Sequence, residues 1–140
     1  MGLNSEDGFS LIELILVITI IGILISMVIP GINMNKFKID SYARQIYSAL
    51  VKARQIAIAE AEDCIIYLLP GNQLIIKKNG EGSYLELIEV EHDFTISCTR
   101  ASKQLKFTPL GTAVAGTFII SDGFYTKNII VAPNGFIRIE

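Results

Sequence analysis

Gly8-Phe9-Ser10-Leu11-Ile12-Glu13, continued by Leu14-Ile15-Leu16-Val17-Ile18-Thr19-Ile20-Ile21-Gly22-Ile23-Leu24-Ile25-Ser26-Met27-Val28-Ile29-Pro30, decides how the rest of the chain is read. Residues 9–32 are apolar apart from a few small or hydroxyl side chains, and Glu13 is their single charge. At about 1.5 Å of rise per residue, a helix of these 24 residues reaches ~36 Å, enough to cross a hydrocarbon core of about 30 Å with some tilt. A secretory signal peptide has a basic start, an apolar core of about 7–15 residues and a small-residue cleavage site. Here the run is longer, the residues before it are acidic, and no convincing A-x-A site appears. The stretch reads as a transmembrane segment.

Its polar punctuation makes it more than an anchor. A carboxylate inside a membrane helix costs about 2.5–3.5 kcal/mol on insertion scales, so Glu13 calls for a cationic partner. A cut between Gly8 and Phe9 supplies one. The new α-amine of Phe9 would stand four residues before Glu13, on the same helical face and at the positive end of the helix dipole. Gly-Phe-Ser-Leu-Ile-Glu followed by about 20 apolar residues resembles the class III signal of type IV pilins and type II secretion pseudopilins. The resemblance implies that a prepilin peptidase removes residues 1–8 as a leader, cleaving after Gly8, and N-methylates Phe9. It further implies that Glu13 pairs with the N-terminus of a neighbouring subunit during filament assembly. The leader differs from the family in one respect. Met1-Gly2-Leu3-Asn4-Ser5-Glu6-Asp7 holds two acids and no Lys or Arg, and all the bases lie beyond the segment, against the positive-inside rule.

Composition sets bounds on the rest of the chain. In 140 residues there is room for the segment and one small domain. The hydrophobic fraction of 51% and mean hydropathy of +0.47 are high for a soluble domain, and residues 9–32 account for much of the excess. All twelve Lys and Arg lie from Lys36 onward with eleven acids among them, so the domain is nearly neutral and nothing global points to nucleic acid. Cys64 and Cys98 are either a disulfide of an oxidising compartment or two separate buried thiols. No C-x-x-C pair suggests a zinc site.

Beyond Pro30-Gly31, which is expected to bend or loosen the helix, residues 33–62 read as a second helical segment. Ile39, Ala43, Ile46, Leu50, Ala53 and Ala57 recur at three- and four-residue spacing, while Arg44, Gln45, Ser48, Lys52 and Gln55 fall mostly off the stripe. That amphipathic helix is net basic, either as a solvated face or for contact with acidic groups of neighbouring subunits or headgroups. From residue 63 short strands take over. They are expected at 64–69, 73–78, 84–91, 94–99, 104–108, 116–121, 127–132 and 136–140, with turns at Pro70-Gly71-Asn72, Asn79-Gly80-Glu81-Gly82, Asp122-Gly123 and Pro133-Asn134-Gly135. The fold class is α+β: a long N-terminal helix, transmembrane then amphipathic, packed on a C-terminal antiparallel β domain over residues 63–140, as a two-sheet sandwich. Phe107-Thr108-Pro109-Leu110-Gly111, Gly116-Thr117-Phe118 and Ile129-Ile130-Val131-Ala132-Pro133-Asn134-Gly135 resemble the C-terminal half of GspH/FimT-type minor pseudopilins.

No catalytic constellation is found. His92, the only histidine, stands in Glu89-Val90-Glu91-His92-Asp93, where a solvated surface residue outweighs a metal ligand. The run Glu81, Glu86, Glu89, Glu91 and Asp93 reads as a solvated acidic face or a dock for basic surfaces. Asp122-Gly123 lacks the oxygen-rich spacing of a calcium loop, and neither a phosphate-cradling loop nor a nucleophile elbow is present. Some FimT-like pilins of competence machines end in a glycine followed by two arginines one residue apart. Gly135-Phe136-Ile137-Arg138 keeps the glycine and one arginine, so DNA is not an expected partner of this subunit alone.

The expected function is therefore that of a minor pilin or pseudopilin, with no enzymatic activity, cofactor or metal. Its expected partners are a prepilin peptidase, other pilins, an inner-membrane assembly platform and the bilayer, in a prokaryotic single-pass protein whose C-terminal domain is extracytoplasmic. The competing reading is an unprocessed membrane-anchored β domain that acts as a binding module.

Overall fold

A computed structural model describes residues 10–28, 34–79, 82 and 84–140. The Gly8–Phe9 junction and Pro30-Gly31 lie outside the described residues. The chain forms two compact units, residues 1–33 and Met34–Glu140.

In the first unit, α1 spans Leu11–Val28. Ser10 opens it, its carbonyl accepting the Leu14 N–H at 3.2 Å. Every described side chain from Leu11 to Met27 is exposed. Among the described residues no helix is long and apolar enough to cross a membrane. α1 has 18 residues, ~27 Å, a little under the roughly 20 that a span takes.

The second unit begins with α2, Met34–Glu60, followed by eight strands. The stripe expected from the sequence is its buried face: Ile39, Ala43, Ile46, Leu50, Ala53 and Ala57, joined by Ala49. The strands are β1 (Cys64–Leu69), β2 (Gln73–Lys78), β3 (Tyr84–Glu89), β4 (Thr95–Cys98), β5 (Gln104–Phe107), β6 (Gly116–Ser121), β7 (Thr126–Val131) and β8 (Ile137–Ile139). They make two four-stranded antiparallel sheets, ordered β3-β2-β1-β5 and β4-β6-β7-β8. α2 touches strands of both sheets, so its stripe fills the space where the sheets' inner faces meet.

Alternation along the strands supplies the rest of the core. Cys64, Ile66 and Leu68 of β1, Leu105 and Phe107 of β5, Phe118 and Ile120 of β6, and Ile129 and Val131 of β7 all point inward. Phe94, Phe107 and Phe118 are the largest fully buried side chains, and Tyr42 of α2 meets Phe94 edge-on with ring centroids 5.4 Å apart. No polar side chain is buried among the described residues.

Asn72 joins the sheets. It sits at φ 59°, in the left-handed region that asparagine tolerates better than most residues. Its Nδ2 donates to the Phe94 carbonyl at 2.6 Å, and its Oδ1 accepts the Ile96 N–H at 3.3 Å, tying the β1–β2 turn to the start of β4. The disulfide left open by the sequence is not formed. Cys64 opens β1 in one sheet, Cys98 closes β4 in the other, and both are free thiols, the first buried and the second half-exposed.

Candidate functional site

Two surfaces carry the sequence's functional candidates. The first is α1. An apolar environment demands that each polar group be satisfied within the segment, and the hydroxyls comply. Thr19 Oγ1 donates to the Ile15 carbonyl and Ser26 Oγ to that of Ile23, each at 2.7 Å. Glu13 is different. It lies in the first turn, three residues after Ser10, at the spacing of a capping box and where the helix dipole favours an anion. Among the described residues no cation pairs with it. Its structural role as a helix-start residue and a role in pairing with an N-terminal amine are compatible, because both place the carboxylate at the same end of the helix.

The second surface is the charged and apolar exterior of the α2–β unit. The bases of α2 and the acids around β3, kept apart in the sequence reading, meet each other. Lys38 Nζ lies 2.8 Å from Glu91, and Lys52 Nζ lies 2.9 Å from Glu86. Arg44 closes on Asp40 at 2.9 Å one helical turn away. The hydrogen bond and charge of Lys38 hold the Glu91 carboxyl below the usual range, and Glu91 in turn raises Lys38. These exposed pairs add little stability singly. They do mean that the basic face of α2 is largely spent within the chain, and that the acidic edge strand β3 is partly covered.

His92 and Asp93 are exposed in the β3–β4 loop, and no group of potential metal ligands gathers among the described residues. Lys127 and Arg138 do not converge: Lys127 sits 3.9 Å from Asp40 near the start of α2, and Arg138 pairs with Glu140 at 3.0 Å on β8.

At the far end of α2, Arg54 Nε donates to the Gly111 carbonyl at 3.0 Å. Gly135, at φ 77°, presses against that same carbonyl. Beside this knot Tyr47, Ile58 and Phe136 are exposed along an apolar groove floored by Val51 and Ile137. In the sequence Gly135 shows as a turn residue and Arg54 as one of the bases that make the second helical segment net basic. Only the folded chain brings residues 57 and 81 positions from Arg54 into contact with it.

The comparisons agree with this geometry. Residues 3–29 match the prokaryotic N-terminal methylation motif. The pilin-like protein PilA1 of Thermus thermophilus is 24% identical over 160 aligned positions, which take in 97% of this chain and 99% of that one. The crystal structure of the type IV minor pilin FimU of Pseudomonas aeruginosa superposes with a TM-score of 0.65 at 21% identity, over 76% of this chain and 90% of FimU. The minor pseudopilin EpsH from the type 2 secretion system of Vibrio cholerae gives 0.63 at 13% identity, over 74% and 96%. A methylation motif on an apolar helix, followed by an amphipathic helix packed on antiparallel sheets, is the arrangement of type IV pilins and pseudopilins, which this chain resembles. Its globular unit has the fold seen in the minor pilin FimU and the minor pseudopilin EpsH.

Proposed function

We propose that this chain is a minor pilin or pseudopilin subunit, processed at Gly8–Phe9 and assembled through its N-terminal helix into a pilus-like filament. One observation carries the reading: an N-terminal methylation motif runs into a helix whose described side chains are all exposed and apolar save Glu13 and a few small or hydroxyl residues. Such a surface is stable only in lipid or against other apolar helices. Residues 9–32 hold the subunit in the bilayer, and the same surface is later buried among neighbouring helices of the filament. A prepilin peptidase hydrolyses the Gly8–Phe9 amide with water, and a methyl group passes from an electrophilic sulfonium-type donor to the freed amine, which gives up a proton. Glu13 then pairs with the N-terminus of a neighbour, and an assembly platform moves the subunit from lipid to filament. The apolar groove of Tyr47, Ile58 and Phe136 faces outward from the folded unit and gives a second surface for neighbour contact.

Intact mass of the membrane-extracted protein, with and without active prepilin peptidase, tests the first step. Loss of residues 1–8 with gain of one methyl group supports it, and an unchanged chain in both samples refutes it in favour of an unprocessed anchored β domain. Glu13→Ala tests the second. Membrane insertion is retained or improved while incorporation into filaments is lost. Normal incorporation of this variant removes the assembly role of Glu13.

A further inference from the structure

The end of the globular unit that bears the start of α2 carries a set of exposed apolar side chains that the assembly reading does not use. Three contacts align β7 and its flanking turns with α2. Asn35 lies beside Asp122, Lys127 is 3.9 Å from Asp40, and Gly135 abuts Arg54. The β6–β7 hairpin therefore points its tip toward the first turn of α2. At that tip Phe124 is 91% exposed and Tyr125 is exposed beside it, while on the first turn of α2 Met34 is 58% and Phe37 69% exposed.

The hairpin is built to hold Phe124 outward. Asp122 Oδ1 accepts the backbone N–H groups of Phe124 at 2.9 Å and Tyr125 at 2.7 Å, and Ser121 Oγ accepts that of Gly123 at 3.1 Å. The Tyr125 and Phe124 amides, helped by the nearby Asn35, keep the Asp122 carboxyl below its usual range, against its partial desolvation. These bonds fix the backbone of a turn whose aromatic ring no part of the described domain covers.

We infer that this end of the globular unit, with Phe124, Phe37 and Met34 at its centre, seats on the bilayer interface while the subunit is still held in the membrane. The inference rests on the proposed membrane-anchored state. Chain continuity supports it: the apolar run ends at Ile32 and only Asn33 intervenes before Met34, so this end of the domain is the one to which the run is joined in sequence. Aromatic rings with lysines beside them suit the headgroup level. Charge contributes little here. Lys38 pairs with Glu91, Arg44 with Asp40, and Lys127 lies within 4 Å of Asp40 as well, so the contact is an apolar insertion rather than a basic patch on anionic lipid.

The chain has no tryptophan, so each introduced one is a single reporter. Phe124→Trp, Leu24→Trp and Leu110→Trp are made in the full chain and reconstituted into phosphatidylethanolamine–phosphatidylglycerol vesicles, some containing lipid brominated near the carbonyls. Leu24 lies in α1, and Leu110, 88% exposed, adjoins the Gly111–Arg54 knot at the opposite end of α2. The expected result is blue-shifted emission with bromine quenching for Trp at 124, quenching at 24, and aqueous emission at 110. For position 124 the quenching persists in wholly zwitterionic vesicles and in high salt. Quenching at 24 with aqueous, unquenched emission at 124 overturns the inference and leaves the anchor intact. A blue shift at 124 that bromine does not quench and that grows with protein density overturns it in favour of a second protein copy. Quenching that requires anionic lipid and vanishes with salt overturns the apolar mode. Absence of quenching at 24 and 124 alike refutes the membrane-anchored reading itself.

Discussion

Gly135→Ala strikes the point where α2, the β5–β6 loop and the β7–β8 turn meet. A Cβ on Gly135 would lie 1.9 Å from the Gly111 carbonyl oxygen and 2.8 Å from Arg54 Nε. Backbone cannot yield as a flexible side-chain tip does, so the turn must move by more than an ångström. Two costs combine. The left-handed conformation, at φ 77°, costs an L-residue about 1–2 kcal/mol. Displacing the Gly111 carbonyl breaks its half-buried hydrogen bond from the Arg54 guanidinium, about 1.5–3 kcal/mol for a charged donor. Together ~2.5–5 kcal/mol is lost, a large share of the roughly 5–15 kcal/mol that a domain possesses.

Gly71→Ala provides the control. Its φ is 85° and nothing lies within 4 Å of the added atom, so only the strain of about 1–2 kcal/mol applies. The assay is urea denaturation of the full chain in mild detergent, followed by near-ultraviolet tyrosine dichroism. All five tyrosines belong to the α2–β unit, so α1 contributes no signal. The midpoint should fall much further for Gly135→Ala than for Gly71→Ala at unchanged slope. Equal losses in the two variants would refute the contact argument, leaving backbone strain as the whole effect.

Asn72→Ala removes both bonds across the sheets and should cost about 1–3 kcal/mol in the same assay, whereas Asn72→Asp keeps the acceptor for the Ile96 N–H and should lose less; equal effects would show that the bond from Ile96 is idle. Phe118→Ala empties a fully buried site and should destabilise by roughly 3–5 kcal/mol, against a change within about 0.5 kcal/mol for Leu110→Ala on the surface. In the native protein Cys98 should react with a thiol reagent at mildly alkaline pH while Cys64 stays protected until unfolding; equal labelling rates would contradict the burial of Cys64. Desolvation pushes the Cys64 thiol up to about 11, so its stabilising effect is complete below the unfolded pKa near 9 and fades as pH rises through 11; a Cys64→Ala variant should lose that alkaline slope.

How much of this was legible in the sequence depends on the range of the interaction. The six-residue stripe of α2 and the inward positions of β1, β6 and β7 arise from local periodicity, and the structure buries them as the pattern requires. The turns at Gly71, Gly123 and Gly135 likewise declare themselves through glycine at positive φ. What lies beyond local pattern is which strand joins which sheet. β1 pairs with β5 across 30-odd intervening residues, and β4 pairs with β6 rather than with β3. That choice is settled by which inner faces cover the α2 stripe, a three-dimensional matter. The same limit explains the charges: the bases of α2 and the acids of β3 looked like separate surfaces, and only the edge position of β3 beside α2 brings Lys52 to Glu86. Asn72 showed as a turn former, with nothing to announce its two bonds to β4.

Glu13 was legible for the opposite reason. It breaks an otherwise uniform apolar pattern, and a polar defect in such a run is visible without any knowledge of the fold. The structure adds an energetic consequence. Since the described side chains of α1 are all exposed, none contributes to the core on which α2 and the sheets depend. Substitutions at Glu13 therefore leave the tyrosine-reported stability of the α2–β unit where it was, while Gly135→Ala and Phe118→Ala lower it. A filament defect with an unchanged unfolding midpoint then points to assembly through α1, whereas a defect that tracks the midpoint points to loss of the folded unit. If Glu13→Ala shifted that midpoint, α1 would belong to the folding unit, and the separation of anchoring helix from globular domain on which the assembly reading depends would fail.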